Sequence, residues 1–264
     1  MSRWGGGGRQ FPSVQVYAST VFALVPNADE GAPKGAPSNR SASDPAVLMK
    51  ETIPNAEANQ ASHERIAVFI DGFNVYWGLR DKEFKRFYWL DYQALSRSFV
   101  RQEKGEDLVA IKYFTTLVTK PADSRERQTS FLRALAAHTN VEIIKGKYRS
   151  RPVKCKSCGE RWDAPEEKMT DVAIATHMVT GALQDQFDTA LLICADADLI
   201  PAVQAVRSCG KKVLIVSPRG RTSDDLAASG DAHLHISTTV LGRCQLPDTV
   251  FAGHRMITRP GEWR

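Results

Sequence analysis

The sequence predicts an α/β protein: a mostly parallel central sheet flanked by helices. Three observations carry that prediction. Short apolar runs rich in β-branched residues recur through the chain after residue 65. These runs are nearly continuous rather than alternating, which is the mark of strands buried on both faces. Between them lie stretches with helical period, so strand and helix alternate in the way that right-handed crossovers require.

In order, the expected strands are IAVFI (66–70), LVAIKYF (108–114), VEIIKG (141–146), TALLICA (189–195), KVLIVS (212–217) and the short HLHIS (233–237). LDYQALSRSFV (90–100) places Leu90, Ala94, Leu95 and Phe99 on one helical face. SRERQTSFLRALAAH (124–138) opens on Ser124, a suitable N-cap. KMTDVAIATHMVTGAL (168–183) and DLIPAVQAVRSCG (198–210) complete the helices, and Gly210 suits the residue just past a helix end.

Residues 1–64 have a different texture. They contain GGGG (5–8) and NADEGAPKGAPSNRSASDPA (27–46), a composition that buries too little apolar surface to offset ordering entropy. They are expected to be a disordered extension. A domain over 65–242 follows, and residues 243–264 read as a loose tail.

Of the 264 residues, 42% are hydrophobic, and no apolar run reaches the length of a membrane span. The formal charge of +5 permits an anionic partner without requiring one. Five scattered cysteines without a clean secretory signal suit a reducing compartment, so a cytoplasmic location is expected.

Carboxylates collect where the strands end. Asp71 closes the first strand, with Gly72 and Asn74 directly behind it; Asp196 and Asp198 follow TALLICA. Asp171 lies one turn inside a helix, four residues after Glu167. Singly, Asp71 and Asp198 could be plain N-caps and Asp171 a solvated helix residue. As a set they repel one another, and desolvating them is costly unless something neutralises them. Hard oxygen donors suit Mg²⁺ or Mn²⁺, and a pair of such ions can drive phosphodiester cleavage. In this reading Asp71 is a metal ligand, Gly72 lets the chain turn and the substrate approach, and Asn74 orients water or phosphate while capping the next helix.

DGFN (71–74), EEKMTDVAIA (166–175), CADADLIPAV (194–203) and KKVLIVSPRG (211–220), with Ser223, Leu226 and Asp231 after them, resemble the NYN domain. This is the PIN-like, FLAP-nuclease-like group of metal-dependent ribonucleases. The resemblance implies a Rossmann-like sheet and an Mg²⁺ or Mn²⁺ site made by Asp71, Asp171, Asp196 and Asp198, with Asn74 beside it. Cys194-Ala195 stands where the family usually has Ser-Gly, and Leu199 where it has Phe. Some relatives are named 6-hydroxy-3-succinoylpyridine monooxygenases, so an NADH-dependent oxygenase of nicotine breakdown is the alternative activity. The sequence shows no strand–GxGxxG–helix fingerprint for it. A non-catalytic RNA-binding module is the third reading.

The insertion KGKYRSRPVKCKSCGERWD (145–163) is the most basic part of the chain, with Tyr148 and Trp162 interleaved. Phosphate contacts plus aromatic stacking suit single-stranded RNA, which makes Lys147, Arg149, Arg151 and Lys154 candidate RNA contacts; a solvated loop is the plainer alternative. Lys168 is expected to reach the scissile or adjacent phosphate. Cys155 and Cys158 look like half of a structural Zn²⁺ site. His177, on the helix beyond the loop, could as easily be a core residue as a further ligand, and a site shared across a homodimer is the other way to supply the rest. Trp77, Tyr88 and Trp89 are expected to pack the first helix rather than to bind a base.

Overall fold

The computed structural model describes residues 63–80, 82–154 and 157–264. Of the extension expected to be disordered over 1–64, residues 1–62 lie outside the described residues, and Glu64 is instead the first residue of a strand. Six strands form one parallel sheet: β1 (Glu64–Asp71), β2 (Glu106–Thr115), β3 (Glu142–Lys145), β6 (Thr189–Ile193), β7 (Lys212–Ser217) and β8 (Ala232–His235). Their spatial order is β3-β2-β1-β6-β7-β8. Two antiparallel hairpins stand apart: β4 (Lys147–Lys154) with β5 (Arg161–Lys168), and β9 (Thr249–Ala252) with β10 (Arg255–Thr258). The α/β, mostly parallel architecture is therefore as expected.

The continuous apolar runs have a direct physical cause. Along β1, Ile66, Val68 and Ile70 enter one hydrophobic cluster while Ala67 and Phe69 enter another. Successive side chains point to opposite faces, and both faces are covered. On the first face lie α2 (Tyr92–Arg97), α3 (Ala122–His138) and α7 (Thr238–Arg243), through Leu95, Phe131, Leu135 and Leu241. The second face is covered by α4 (Thr170–Leu183), α5 (Ile200–Ser208) and α6 (Asp224–Ser229), through Ile174, Met178, Val203 and Leu226. Ser223 caps α6, its hydroxyl accepting from the Leu226 amide at 3.3 Å.

The strand order reverses direction between β1 and β6. In open parallel sheets the crevice beyond the strand carboxyl ends at such a reversal is where ligands bind. α1 (Gly72–Gly78) starts there, directly after β1.

Residues 243–264 are not a loose tail. Leu246, Val250, Ile257 and Trp263 are buried in the first-face cluster. Trp263 packs against Tyr88 at 5.5 Å and Trp89 at 6.2 Å between ring centroids. The segment looked loose because its strands are four residues each, too short to show a period. The basic insertion likewise differs from a loop: it is the β4–β5 hairpin. Its charges hid a strand pattern that cross-strand pairing supplies.

Because Trp263 is 8% exposed, Trp263→Ala is expected to lower unfolding stability by about 3 kcal/mol, the usual cost of emptying a large aromatic site. Urea denaturation measures it; a midpoint equal to wild type would mean the segment does not belong to the core.

Candidate active site at the β1–β6 switch

Asp71 is the last residue of β1 and the N-cap of α1. Its Oδ1 accepts from the backbone amides of Phe73 and Asn74, each at 2.9 Å. Its Oδ2 accepts from Asn74 Nδ2 and from the Cys194 thiol, the latter at 3.4 Å. The residue is 2% exposed. Burial raises its carboxyl pKa above the ordinary value, although the Asn74, Cys194 and Phe73 hydrogen bonds act against that rise. No cation pairs with Asp71 among the described residues.

The opposite edge of the sheet shows what a structural carboxylate looks like here. Asp188, just before β6, accepts from the Arg65 guanidinium at 2.7 Å and is held well below the usual carboxylate range by that bond. Asp71 has no such neutralisation.

Asn74 is buried, and its Oδ1 makes no hydrogen bond. A buried carboxamide oxygen without a donor is costly, and it is an acceptor that only a donor or a cation can satisfy. Asn74 does not cap α1, as the sequence suggested; Asp71 does. Gly72 also has a different role from the one expected. A Cβ there would lie 2.6 Å from Tyr113 Oη and 2.7 Å from the Phe114 carbonyl oxygen. The glycine is needed for packing against β2.

Cys194 connects the first strand to the next carboxylate. Its sulfur accepts from the Asp196 amide at 3.3 Å while its S–H donates to Asp71. Burial first, then the Asp71 charge, pushes this thiol well above its usual pKa, so it stays protonated. Asp196 is half-buried and caps the 3₁₀ turn Ala197–Leu199, accepting from the Asp198 amide at 3.0 Å. Asp198 and Asp171 are exposed, the latter in the first turn of α4. The structure thus joins Asn74 to Asp71 directly and Asp71 to the Asp196 backbone through Cys194. It does not gather the four aspartates into a closed cage: among the described residues, no group of three or more His, Cys, Asp or Glu is placed to hold a metal ion. Mg²⁺ commonly takes only one or two protein carboxylates and fills its remaining positions with water and phosphate oxygens. Asp71 and Asp196 are carboxylates in that number, and the orphaned Asn74 oxygen is a further hard donor.

In the hairpin, alternation puts positions 147, 149 and 151 on one face and 148 and 154 on the other. Lys154 is therefore not on the face of Lys147, Arg149 and Arg151. Tyr148 meets Phe73 of α1 edge-on at 6.3 Å, which sets the hairpin beside the β1 end. Lys168 ends β5, opposite Lys147. Cys158 is exposed in the hairpin turn, and Cys155 lies outside the described residues. His177 packs edge-on against Phe114 at 5.5 Å, consistent with its core alternative.

Sequence reasoning missed a cleft of about 640 Å³ alongside α1. It runs from Gly72 and Phe73, next to Asp71, along Tyr76 to Trp263. Tyr92 and Tyr113, with ring centroids 4.5 Å apart, line it. Burial, with Asp71 contributing, pushes the Tyr113 phenol up to about 12. Of the aromatics expected only to pack, Trp89 is fully buried, but Trp77 is 44% exposed at the cleft. The aromatic spacing around 73–92 was the available signal; what it lacked was the wall contributed by Trp263.

The fold and the acidic edge define a PIN-like α/β domain. A model of the NYN domain matches residues 65–237, and the chain belongs to that family. Membership carries a nuclease-type, RNA-related function. The chain is similar to 6-hydroxy-3-succinoylpyridine 3-monooxygenase HspA of Pseudomonas putida (strain DSM 28022 / S16), at 28% identity over 239 residues, covering 75% of each chain. A crystal structure of a Vibrio parahaemolyticus RIMD 2210633 protein of unknown function matches with a TM-score of 0.48 and 23% identity, covering 68% of this chain and 97% of that one.

The raised pKa of Asp71 makes a pH prediction. The folded state holds the Asp71 proton more tightly than the unfolded chain does. Its contribution is therefore most favourable below the ordinary carboxylate pKa and is lost as pH rises through that value to the raised one. Asp71→Asn removes this titration. In EDTA the variant is expected to match or exceed wild-type stability at pH 7, with the advantage shrinking toward pH 4. Urea midpoints at both pH values decide it, and an unchanged difference between them would refute the assignment.

Proposed function

We propose that this protein is a metal-dependent phosphodiesterase that cleaves single-stranded RNA. The observation that carries the reading is Asp71: a buried carboxylate without a cationic partner among the described residues, at the sheet's switch point, beside an unsatisfied Asn74 oxygen. Asp71 and Asp196 would hold Mg²⁺ or Mn²⁺ with the Asn74 oxygen, and Asp171 and Asp198 would complete the acidic rim. A divalent ion bound there supplies an activated water and offsets phosphate charge. The chain's own contribution is positional. β1 fixes Asp71, the Cys194 thiol orients its Oδ2, and the amides of Phe73 and Asn74 hold Oδ1.

Lys147, Arg149, Arg151, Lys154 and Lys168 would neutralise phosphates as the strand passes the hairpin. Their distribution over both hairpin faces suits a strand wrapping its edge. Cys155 and Cys158 would stiffen the hairpin tip if a partner completed a Zn²⁺ set. Residues 1–62 would act as an appended extension in a cytoplasmic protein.

A second reading is favoured by one observation, the aromatic cleft beside Asp71 in a chain similar to a pyridine monooxygenase. It predicts NADH consumption with 6-hydroxy-3-succinoylpyridine.

Cleavage of a mixed single-stranded RNA pool with Mn²⁺ or Mg²⁺ is expected for wild type and not in EDTA. Asp196→Asn is expected to slow it by about 10²-fold or more, the scale of several kcal/mol of lost charge stabilisation. RNA affinity without cleavage by the folded, metal-supplied wild type would replace the enzyme reading with that of a binding module.

A further inference from the structure

The cleft beside α1 is more than packing space. Its volume of about 640 Å³ falls within the roughly 300–1,000 Å³ range of small-ligand sites. Its lining is unusually aromatic. Tyr76 stacks on Tyr88 at 4.8 Å with planes 21° apart, and both rings line the cleft. Tyr76 is 45% exposed, which leaves ring surface for a further planar group. Phe73 and Tyr148 stand at the end next to Asp71, and Trp263 lines the cleft as well.

The rim is cationic. Arg80, Lys85, Lys120 and Arg127 line the cleft against the single carboxylate of Glu262. Only Arg127 pairs with that carboxylate, at 3.3 Å, among the described residues. Arg80 lies over the Trp77 ring at 4.6 Å, holding a guanidinium beside the aromatic surface. Planar rings inside and cations at the mouth complement a planar heteroaromatic ring that carries an anionic group.

We propose that this cleft receives one unstacked base of single-stranded RNA, its ring against Tyr76 and its phosphate at the Arg80 rim, next to the bond presented to Asp71. The ring-and-anion chemistry follows from the cleft alone; the choice of RNA as its source rests on the phosphodiesterase reading. Base-on-aromatic stacking with adjacent cations is how single-stranded nucleic acid is held without sequence readout. Two of the lining residues, Glu262 and Trp263, lie beyond the residues matched by the NYN model, so this site is built partly outside the family core.

The test measures binding with no cleavage possible. Full-length protein in EDTA is titrated with uridine and adenosine monophosphates, a short single-stranded oligoribonucleotide, and nicotinate as a pyridine acid. Quenching of tryptophan fluorescence is the readout, since Trp77 and Trp263 line the cleft. Saturable quenching by nucleotides and RNA is expected. Tyr76→Ala and Arg80→Ala should each weaken it about 5- to 100-fold, the scale of one lost stacking or charged contact, while Arg243→Ala, exposed on α7, leaves it unchanged. Circular dichroism confirms that the variants fold; Tyr76 and Arg80 are both exposed. Absence of saturable quenching, or equal affinity in all variants, overturns the site. Quenching by nicotinate but not by nucleotides or RNA overturns the assignment to RNA. Binding in EDTA by a protein that also fails to cleave RNA when Mn²⁺ or Mg²⁺ is supplied would count against the phosphodiesterase reading and not against the cleft.

Discussion

A strand buried on both faces must end somewhere, and β1 ends in a carboxylate that nothing positive neutralises among the described residues. That placement organises much of what surrounds it. Two backbone amides, one carboxamide and one thiol converge on Asp71, and each is held by an element that the sheet fixes. Keeping the carboxylate dry requires Tyr113 and Phe114 of β2 to close against Gly72, which is why a side chain at that position has no room. The result is a destabilised group at a rigid position, the usual sign that a fold is retaining a residue for chemistry rather than for stability.

The contrast between the two ends of the sheet sharpens the point. Asp188 and Arg65 form a closed, charge-balanced pair at one end. At the other end Asp71 accepts from a protonated thiol, which can donate only once, while the sulfur accepts from the Asp196 backbone amide. Cys194 in the place of the family's usual small residue thereby substitutes a weak donor for a strong one. It leaves the Asp71 carboxylate less stabilised in its charged form than a hydroxyl donor would.

Much of this was legible in the sequence. The central strands β1, β6 and β7 were visible because burial on both faces writes unbroken apolar runs, as in IAVFI and TALLICA. Asp71 and Asp196 were visible because a carboxylate directly after such a run has few structural reasons to be there. What was hidden depends on distant pairing. The β4–β5 hairpin reads as a charged loop, since its order comes from cross-strand bonds rather than from a buried face. The role of Gly72 depends on Tyr113, some forty positions away, and that of Cys194 on Asp71. The last segment reads as a tail because Trp263 acquires a partner only when Tyr88 and Trp89 are brought to it.

The hairpin that follows α7 divides the molecule in a way that bears on its cleft. The acidic residues all lie inside the shared family core, whereas Trp263 and Glu262 at the cleft belong to a segment beyond it. Substitutions in that segment can reshape what the cleft admits while leaving the carboxylates undisturbed. The cleft's shape and the sheet's chemistry are thus carried by separate stretches of chain, so one can be altered without rebuilding the other.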